Sequence, residues 1–250
     1  MAYPVGTQFF WGIDSAMPAN QSLTFKDVAY NSLYELVVDA YGKPDFWGRY
    51  LDKYAITTNE ADFLHNNGVS IMLIYGASLT QTNVESYVYQ DGLDIAQDAV
   101  RLAKQLYVQA GTLIYFDLEN WSVHYSFLEG LADGMYGDAY EAGYYTGGFY
   151  ATMGGNNDSS GSFNSSYCTA LSANANVSNM YLYSNEPEPG CTTQANKPTY
   201  TPHYPSCNSN VTVWQYAERC LETQGSDSPY PNGIVDQDIS VSSAYDLFWS

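Results

Sequence analysis

The chain has 250 residues, and its net charge of −19 comes from 27 acidic residues against only 8 Lys and Arg. This scarcity of bases argues against binding to nucleic acids or to anionic membranes, and it fits a neutral or cationic partner or simple solubility. No apolar run is long enough for a transmembrane helix, and the first residues lack the features of a signal peptide. We expect one domain spanning 1–250, although two smaller domains would also fit this length.

The first half of the chain alternates predicted strands and helices. Strands are predicted at 8–14, 45–51, 69–75 and 111–121, and helices at 24–41, 58–66, 92–109 and 127–142. The helix after Thr57 has the sharpest signal, because Thr57 and Glu60 form a capping box. The strand at 69–75 is almost wholly apolar, which is typical of a parallel strand buried on both faces.

The second half is less regular. Strands are predicted at 143–150, 179–184, 211–216 and 233–240. The segment 151–166 has the composition of a loop, and 185–210 contains five prolines and no helical pattern. Eight strands with helices mainly in the first half predict an α/β fold, a (β/α)8 TIM-type barrel with degenerate helices in the second half. An open doubly wound sheet is the competing fold, but no glycine-rich phosphate-binding loop follows any strand.

The four cysteines indicate the cellular location of the protein. Cys168, Cys191, Cys207 and Cys220 form no C-x-x-C pair, and the three histidines are scattered, so we expect no metal site and no cofactor. An even number of cysteines among polar loops indicates two disulfides and a secreted protein, with all three pairings open, whereas four reduced thiols are the alternative. The few bases lead us to the hypothesis of an acidic extracellular setting.

Four acidic residues lie at or near the ends of predicted strands. Asp117 and Glu119 end the fourth strand two residues apart, so both would point to the same face. We expect Asp14 at the carboxyl end of the first strand and Asp236 at the carboxyl end of the eighth, which adjoins the first in a closed barrel. Convergence at one mouth would raise the pKa of one acid, as glycoside hydrolysis requires of its proton donor. A lone Asp-x-Glu, by contrast, is often a solvated strand end.

Aromatic side chains near the strand ends could stack on sugar rings. They are Trp11, Tyr75, Trp121, Tyr183, Trp214 and Tyr216. Because the chain contains 25 tyrosines, a packing role is the more frequent explanation for any one of them. We take Tyr75, Trp121 and Tyr183 as candidate substrate-binding residues.

Short motifs on four strands resemble one known family. They are Gly12-Ile13-Asp14, the run 114–119 ending in Asp117-Leu118-Glu119, Val213-Trp214-Gln215-Tyr216, and Gly233-Ile234-Val235-Asp236. In this order they are similar to glycoside hydrolase family 25, the lysozyme-like muramidases. The segments around Arg49, the capping box at Thr57 and Gly92-Leu93-Asp94 resemble more closely the related glycoside-hydrolase-like domain of unknown function.

The resemblance implies a barrel that cleaves the β-1,4 bond of peptidoglycan. By position, Glu119 would be the general acid and Asp117 would orient or stabilise, with Asp14 as a further catalytic residue. Asp236 and Gln215 would line the substrate site. The chain departs from the muramidase pattern at Ser15-Ala16, where those enzymes usually carry Val-Ser, and in the loop 185–210.

Three functions therefore remain in view. The first is a secreted glycoside hydrolase acting as a monomer on an N-acetylated polysaccharide such as peptidoglycan. The second is a non-catalytic barrel that binds cell-wall glycan, and the third is a chitinase-like glycosidase. The intact acids favour an enzyme, because a binding protein has no need of a proton donor.

Overall fold

The computed structural model describes residues 6–138, 141–153, 163–186, 189–223 and 233–250. The strands are β1 (Phe9–Asp14), β2 (Leu23–Phe25), β3 (Val28–Tyr30), β4 (Phe46–Tyr50), β5 (Ser70–Tyr75), β6 (Leu113–Asp117), β7 (Thr146–Ala151), β8 (Tyr181–Asn185), β9 (Val211–Cys220) and β10 (Val235–Val241). The helices are α1 (Leu33–Tyr41), α2 (Thr58–Asn66), α3 (Gln81–Val84), α4 (Tyr89–Gln105), α5 (Tyr125–Tyr136), α6 (Phe163–Ala173) and α7 (Ser242–Tyr245), with 3₁₀ turns at Ala175–Asn179 and Gln194–Asn196. None of the described helices is both long and apolar enough to cross a membrane.

Eight of these strands close into one barrel, as the sequence predicts. The order around the barrel is β1, β10, β9, β8, β7, β6, β5 and β4, and β4 pairs with β1 again. All neighbours are parallel except β10, which runs antiparallel to both β1 and β9. The parallel strands place their carboxyl ends at one end of the barrel, which we call the mouth.

The region before α1 differs from the expected helix over 24–41. Strands β2 and β3 form a hairpin there, and α1 begins only at Leu33, capped by the Ser32 side chain. Lys26 and Asp27 turn the hairpin with φ angles of 49° and 64°, the conformation of a two-residue turn that matches strand twist. The apolar residues Phe25 and Ala29 fit a helical period by coincidence, which made the prediction of the helix start wrong.

The barrel interior is packed with aromatic rings that occupy space left by glycines. A Cβ on Gly12 would lie 2.4 Å from the Phe46 ring, and one on Gly148 would lie 2.5 Å from the Tyr115 ring. At the end opposite the mouth, the last residues of the chain pair with the strands, since Ile71 and Trp249 exchange backbone hydrogen bonds. The last residues of the chain therefore cover part of the base of the barrel.

The second half has the degenerate helices that its composition predicts. Helix α6 begins at Phe163, inside the expected loop 151–166, of which residues 154–162 lie outside the described part. In the described part of 185–210, the only helical turn is the short one at Gln194–Asn196. Strand β9 extends to Cys220, four residues beyond the prediction.

Two disulfides anchor the segment 185–210, one to helix α6 and one to barrel strand β9. Cys168 on α6 is joined to Cys207, and Cys191 is joined to Cys220 at the end of β9. The structure thus selects one of the three pairings that the sequence left open. The bonds hold the loop where an ordinary barrel would place a helix.

Candidate functional site

Asp117 and Glu119 lie at the mouth end of β6. Asp117 points into the barrel and is buried, and its carboxylate accepts hydrogen bonds from the Tyr50 hydroxyl at 3.2 Å and the Glu119 backbone N–H at 3.3 Å. The close approach of Gly76 allows this position, because a Cβ there would lie 2.6 Å from the Asp117 Cβ. Asp117 is therefore held rigidly below the rim.

The backbone turns sharply at Glu119. Its φ angle is 50°, in the left-handed region that residues with a side chain seldom adopt. Its carbonyl accepts a hydrogen bond from the Thr152 N–H, and the preceding Leu118 N–H donates to the Tyr150 carbonyl, so β7 fixes the turn on both sides. Such strained residues persist only where the surroundings impose them, and they cluster at functional sites.

Asp14 ends β1 beside this pair. Its Oδ2 accepts a hydrogen bond from Gln215 Nε2 at 2.7 Å, and the Tyr183 hydroxyl lies 3.2 Å away. Gly48 makes room for it, since a Cβ on Gly48 would lie 2.5 Å from the Asp14 Cβ. Gln215 is itself oriented by the Tyr150 hydroxyl, which donates to its Oε1 at 2.9 Å.

Strand β10 brings two more acids to the mouth. Asp236 pairs in register with Asp14, and its Oδ1 accepts the Arg219 backbone N–H at 2.7 Å. Because β10 is antiparallel, Asp236 lies near the amino end of its strand and still reaches the mouth; the expected position near the strand's carboxyl end was wrong. Asp238 lies one layer deeper and is fully buried, and its Oδ1 accepts the Tyr183 hydroxyl at 2.7 Å.

Burial and mutual repulsion raise the pKa values of these carboxyls. Burial is the largest cause for Asp117, whose pKa lies well above its ordinary value, and the nearby charge of Glu119 adds to it. The pKa of Glu119 is also raised, first by burial and then by the charges of Glu218 and Asp14. The pKa of Asp236 is raised well above the ordinary range by burial and by Asp14. The site therefore favours protonated carboxyls at higher pH than water does.

Two of the expected substrate-binding aromatics serve the packing instead. Tyr75 faces outward from β5, where its hydroxyl donates to Asp98 on α4, so the structure does not bring it to the acids. Tyr183 is fully buried beneath Asp14, which makes it a support rather than a surface for sugar. Trp121 follows Glu119 on the β6–α5 connection and packs, half-buried, against the outer core.

Five residues of the site were missed by the sequence reasoning. They are Tyr50, Tyr150, Asn185, Glu218 and Asp238. Asp238 carried a readable signal, because residues two apart on a strand face the same side and Asp236 was already a candidate. Glu218 was missed because β9 runs beyond the predicted strand end.

Among the described residues, no group of three acidic, histidine or cysteine side chains could hold a metal ion. The carboxyls of the mouth come from three strands, and most of them accept hydrogen bonds from neighbouring hydroxyl, amide or backbone N–H groups. Their arrangement fits proton transfer and charge stabilisation.

The loop that follows Asp14 is anchored by a buried ion pair. Arg49 on the outer face of β4 bonds Glu60 on α2, with Nε and Oε1 2.7 Å apart, and both side chains are almost wholly buried. Arg49 also donates to the Ser15 carbonyl, and Glu60 accepts the Ala19 N–H at 2.7 Å. The two motifs around Arg49 and the capping box thus meet in space and hold one segment.

Comparison with known proteins defines the family and the fold. An uncharacterized protein of B. stearothermophilus is 28% identical, with a TM-score of 0.76 over 96% of this chain and 100% of that one. The Tat-secreted protein Rv2525c of Mycobacterium tuberculosis, crystallised with L-tartrate, is 13% identical, with a TM-score of 0.50 over 92% of this chain and 94% of that one.

The Clostridium perfringens spore cortex lytic enzyme SleM is 11% identical, with a TM-score of 0.56 over 100% of this chain and 71% of that one. The similarities to Rv2525c and to SleM show a shared fold alone. No curated protein matches the sequence. The profile of the Rv2525c-like, glycoside hydrolase-like domain matches residues 30–237, and the chain therefore belongs to that family.

Proposed function

We propose that this protein is a secreted glycoside hydrolase that cleaves β-1,4 bonds in an N-acetylated polysaccharide, with peptidoglycan as the first candidate. The observation that carries the proposal is the pair Asp117 and Glu119 at the mouth of a closed barrel. The two carboxyls differ in burial, and the pKa of each is raised. Glycoside hydrolysis uses two carboxyl groups in different states, one that donates a proton and one that stabilises positive charge.

Glu119 is the better proton donor of the pair. It is only partly buried, so a glycosidic oxygen can approach it, and its raised pKa favours the protonated form that a proton donor needs. Asp117 lies deeper, accepts two hydrogen bonds and has a pKa well above its ordinary value, which suits a group that orients the substrate. Asp14 and Asp236 line the same mouth and would contact the sugar.

Family and fold support a cell-wall substrate. The chain belongs to a glycoside hydrolase-like family, and a spore cortex lytic enzyme shares its fold. An acidic mouth on a chain of net charge −19 favours neutral glycans over anionic polymers. The two disulfides and the Tat-secreted relative support action outside the cytoplasm.

The test is release of reducing ends from purified peptidoglycan and from chitin between about pH 3 and pH 7. We expect the wild type to release them from peptidoglycan and Glu119→Gln to lose about 10²–10⁴-fold, the contribution usual for a general acid. The matched control is Glu129→Gln, the same chemical change on the partly exposed face of α5. The rate should fall as the pH rises through the raised pKa of Glu119.

The possible results distinguish the candidate functions. Equal release by the wild type and Glu119→Gln would refute Glu119 as the acid. Release from chitin alone would identify a chitinase-like enzyme. Binding of the polymer by the folded protein without release from either would refute the hydrolase and favour a glycan-binding barrel.

A further inference from the structure

One hydroxyl lies between two buried carboxyls below the mouth. The Tyr183 Oη is 2.7 Å from Asp238 Oδ1 and 3.2 Å from Asp14 Oδ2. The Tyr183 hydroxyl therefore bridges the two carboxyl groups. Asp14 is 3% exposed, and Asp238 and Tyr183 are not exposed at all.

The Tyr183 hydroxyl has too few protons to donate a hydrogen bond to both carboxylates at once. A tyrosine hydroxyl has a single proton, so it can donate to only one of the two carboxyls at a time. If both were ionised, two like charges would lie close together among buried side chains, at a high energetic cost. One additional proton on the pair removes this repulsion and supplies the missing donor.

The two carboxyls are not equally suited to the charge. Asp14 receives a donor from Gln215 at 2.7 Å, which stabilises a carboxylate. The Oδ2 atom of Asp238 is buried without a hydrogen-bond partner among the described residues, which is costly for a charged oxygen and less so for a neutral acid. The charge is therefore better placed on Asp14 and the proton on Asp238.

Among the residues that the structure describes, the groups with the largest effect on the pair include no cation. The titratable groups that interact electrostatically with the pair are acids and tyrosines. The acids are Asp117, Glu119, Glu218 and Asp236. The tyrosines are Tyr50, Tyr115, Tyr150, Tyr183 and Tyr216. Arg49 points to the outer face of β4 and is engaged by Glu60. Burial and Asp14 raise the pKa of Asp238 well above its ordinary value.

We propose that Asp238 is a positioning residue that holds a proton in common with Asp14, so that the buried pair carries one negative charge and Asp14 keeps a fixed orientation at the mouth. The proton sharing is argued from the Tyr183 hydroxyl between the two carboxyls, from the burial of all three side chains and from the Asp238 Oδ2 atom without a partner among the described residues. Its consequence for turnover rests on the proposed function, because Asp14 contributes to the raised pKa of Glu119.

The decisive measurement is carbon NMR of the aspartate side-chain carboxyls in selectively labelled protein, titrated from about pH 3 to pH 9. Asp14→Asn and Asp238→Asn assign the two signals, and Asp246→Asn, an exposed acid near the chain's end, is the control. We expect one carboxyl of the pair to remain protonated at neutral pH, and the Asp14 signal to shift when Asp238 titrates. Asp246→Asn should leave both signals in place.

Signals of both carboxyls that show full ionisation at neutral pH in the wild type would overturn the proposal, even if neither variant folds. Independent titration curves for the two signals would overturn it as well. Because this measurement requires no turnover, a protein that releases no sugar can still show the shared proton. The failure of the hydrolase assignment and the failure of this inference are therefore distinguishable.

Discussion

The ion pair of Arg49 and Glu60 gives the sharpest prediction about stability. Replacing Arg49 with Met keeps much of the side-chain volume and removes the guanidinium, which bonds Glu60 at 2.7 Å and 3.2 Å, the Tyr54 carbonyl at 3.0 Å, and the Ser15 carbonyl. Glu60 would remain almost wholly buried, with the Ala19 N–H as a remaining donor. The variant thus buries a charge without its counter-charge.

The expected cost follows from that unpaired charge. Removing one partner of a buried ion pair destabilises a protein by about 3–5 kcal/mol. For a chain of this size each kcal/mol lowers the melting temperature by about 2–4 °C, so we expect a drop on the order of 10 °C. The loop from Ser15 to Ala19 would also lose its anchor, which should lower any activity that depends on Asp14.

A double-mutant cycle separates the ion pair from simple packing. We expect Glu60→Gln to cost about as much as Arg49→Met, and the double variant to cost little more than either, because it leaves no unpaired charge. Thermal and urea unfolding followed by circular dichroism measure all four proteins. Additive losses, or a loss below about 1 kcal/mol for Arg49→Met, would refute the reasoning.

Two further predictions concern pH and the disulfides. The pKa values of Asp117 and Asp236 are raised in the folded state, so their contribution to stability is complete below about pH 4 and is lost as the pH rises through the folded values. Urea unfolding at pH 4, 6 and 8 should therefore show a falling free energy of unfolding. Replacing Cys191 and Cys220 with Ser, which opens a link across 29 residues, should cost about 3–4 kcal/mol in the same assay.

Each of these predictions has its own control. Asp236→Asn should flatten the pH dependence, and a free energy of unfolding that rises from pH 4 to pH 8 would contradict the argument. Replacing Cys168 and Cys207 instead removes a link across 39 residues, and it should cost a similar amount. A loss below about 1 kcal/mol for either pair would show that the loop is held without its disulfides.

The closed barrel could be predicted because its signals are local. The capping box at Thr57, the apolar strand β5 and the polar interruptions each specify one element, and their order specifies the barrel. The direction of β10 could not be predicted, because a strand's alternation is the same when it is read in either direction. The hairpin at Lys26 and Asp27 was missed because its turn lacks the glycine or asparagine that usually marks one.

Part of the candidate site could be predicted because its signals, like those of the barrel, are local. Acids at strand ends are visible in the sequence, which is how Asp14, Asp117 and Glu119 became candidates. Which aromatic rings face inward depends on the register of each strand, so the sequence could not tell that Tyr75 faces α4 and that Tyr183 lies among the buried acids. Asp238 comes from the other end of the chain, and its contact with the surroundings of Asp14 could be recognised only once β1 and β10 were paired.

The antiparallel β10 changes what the connection before it must do. In an all-parallel barrel each connection starts at the mouth and returns along the outside to the base, so its minimum length is set by the height of the barrel. Between Cys220 and Val235 the chain leaves the mouth and re-enters at the mouth. Because both ends of this connection lie at the mouth, its length is not set by the height of the barrel.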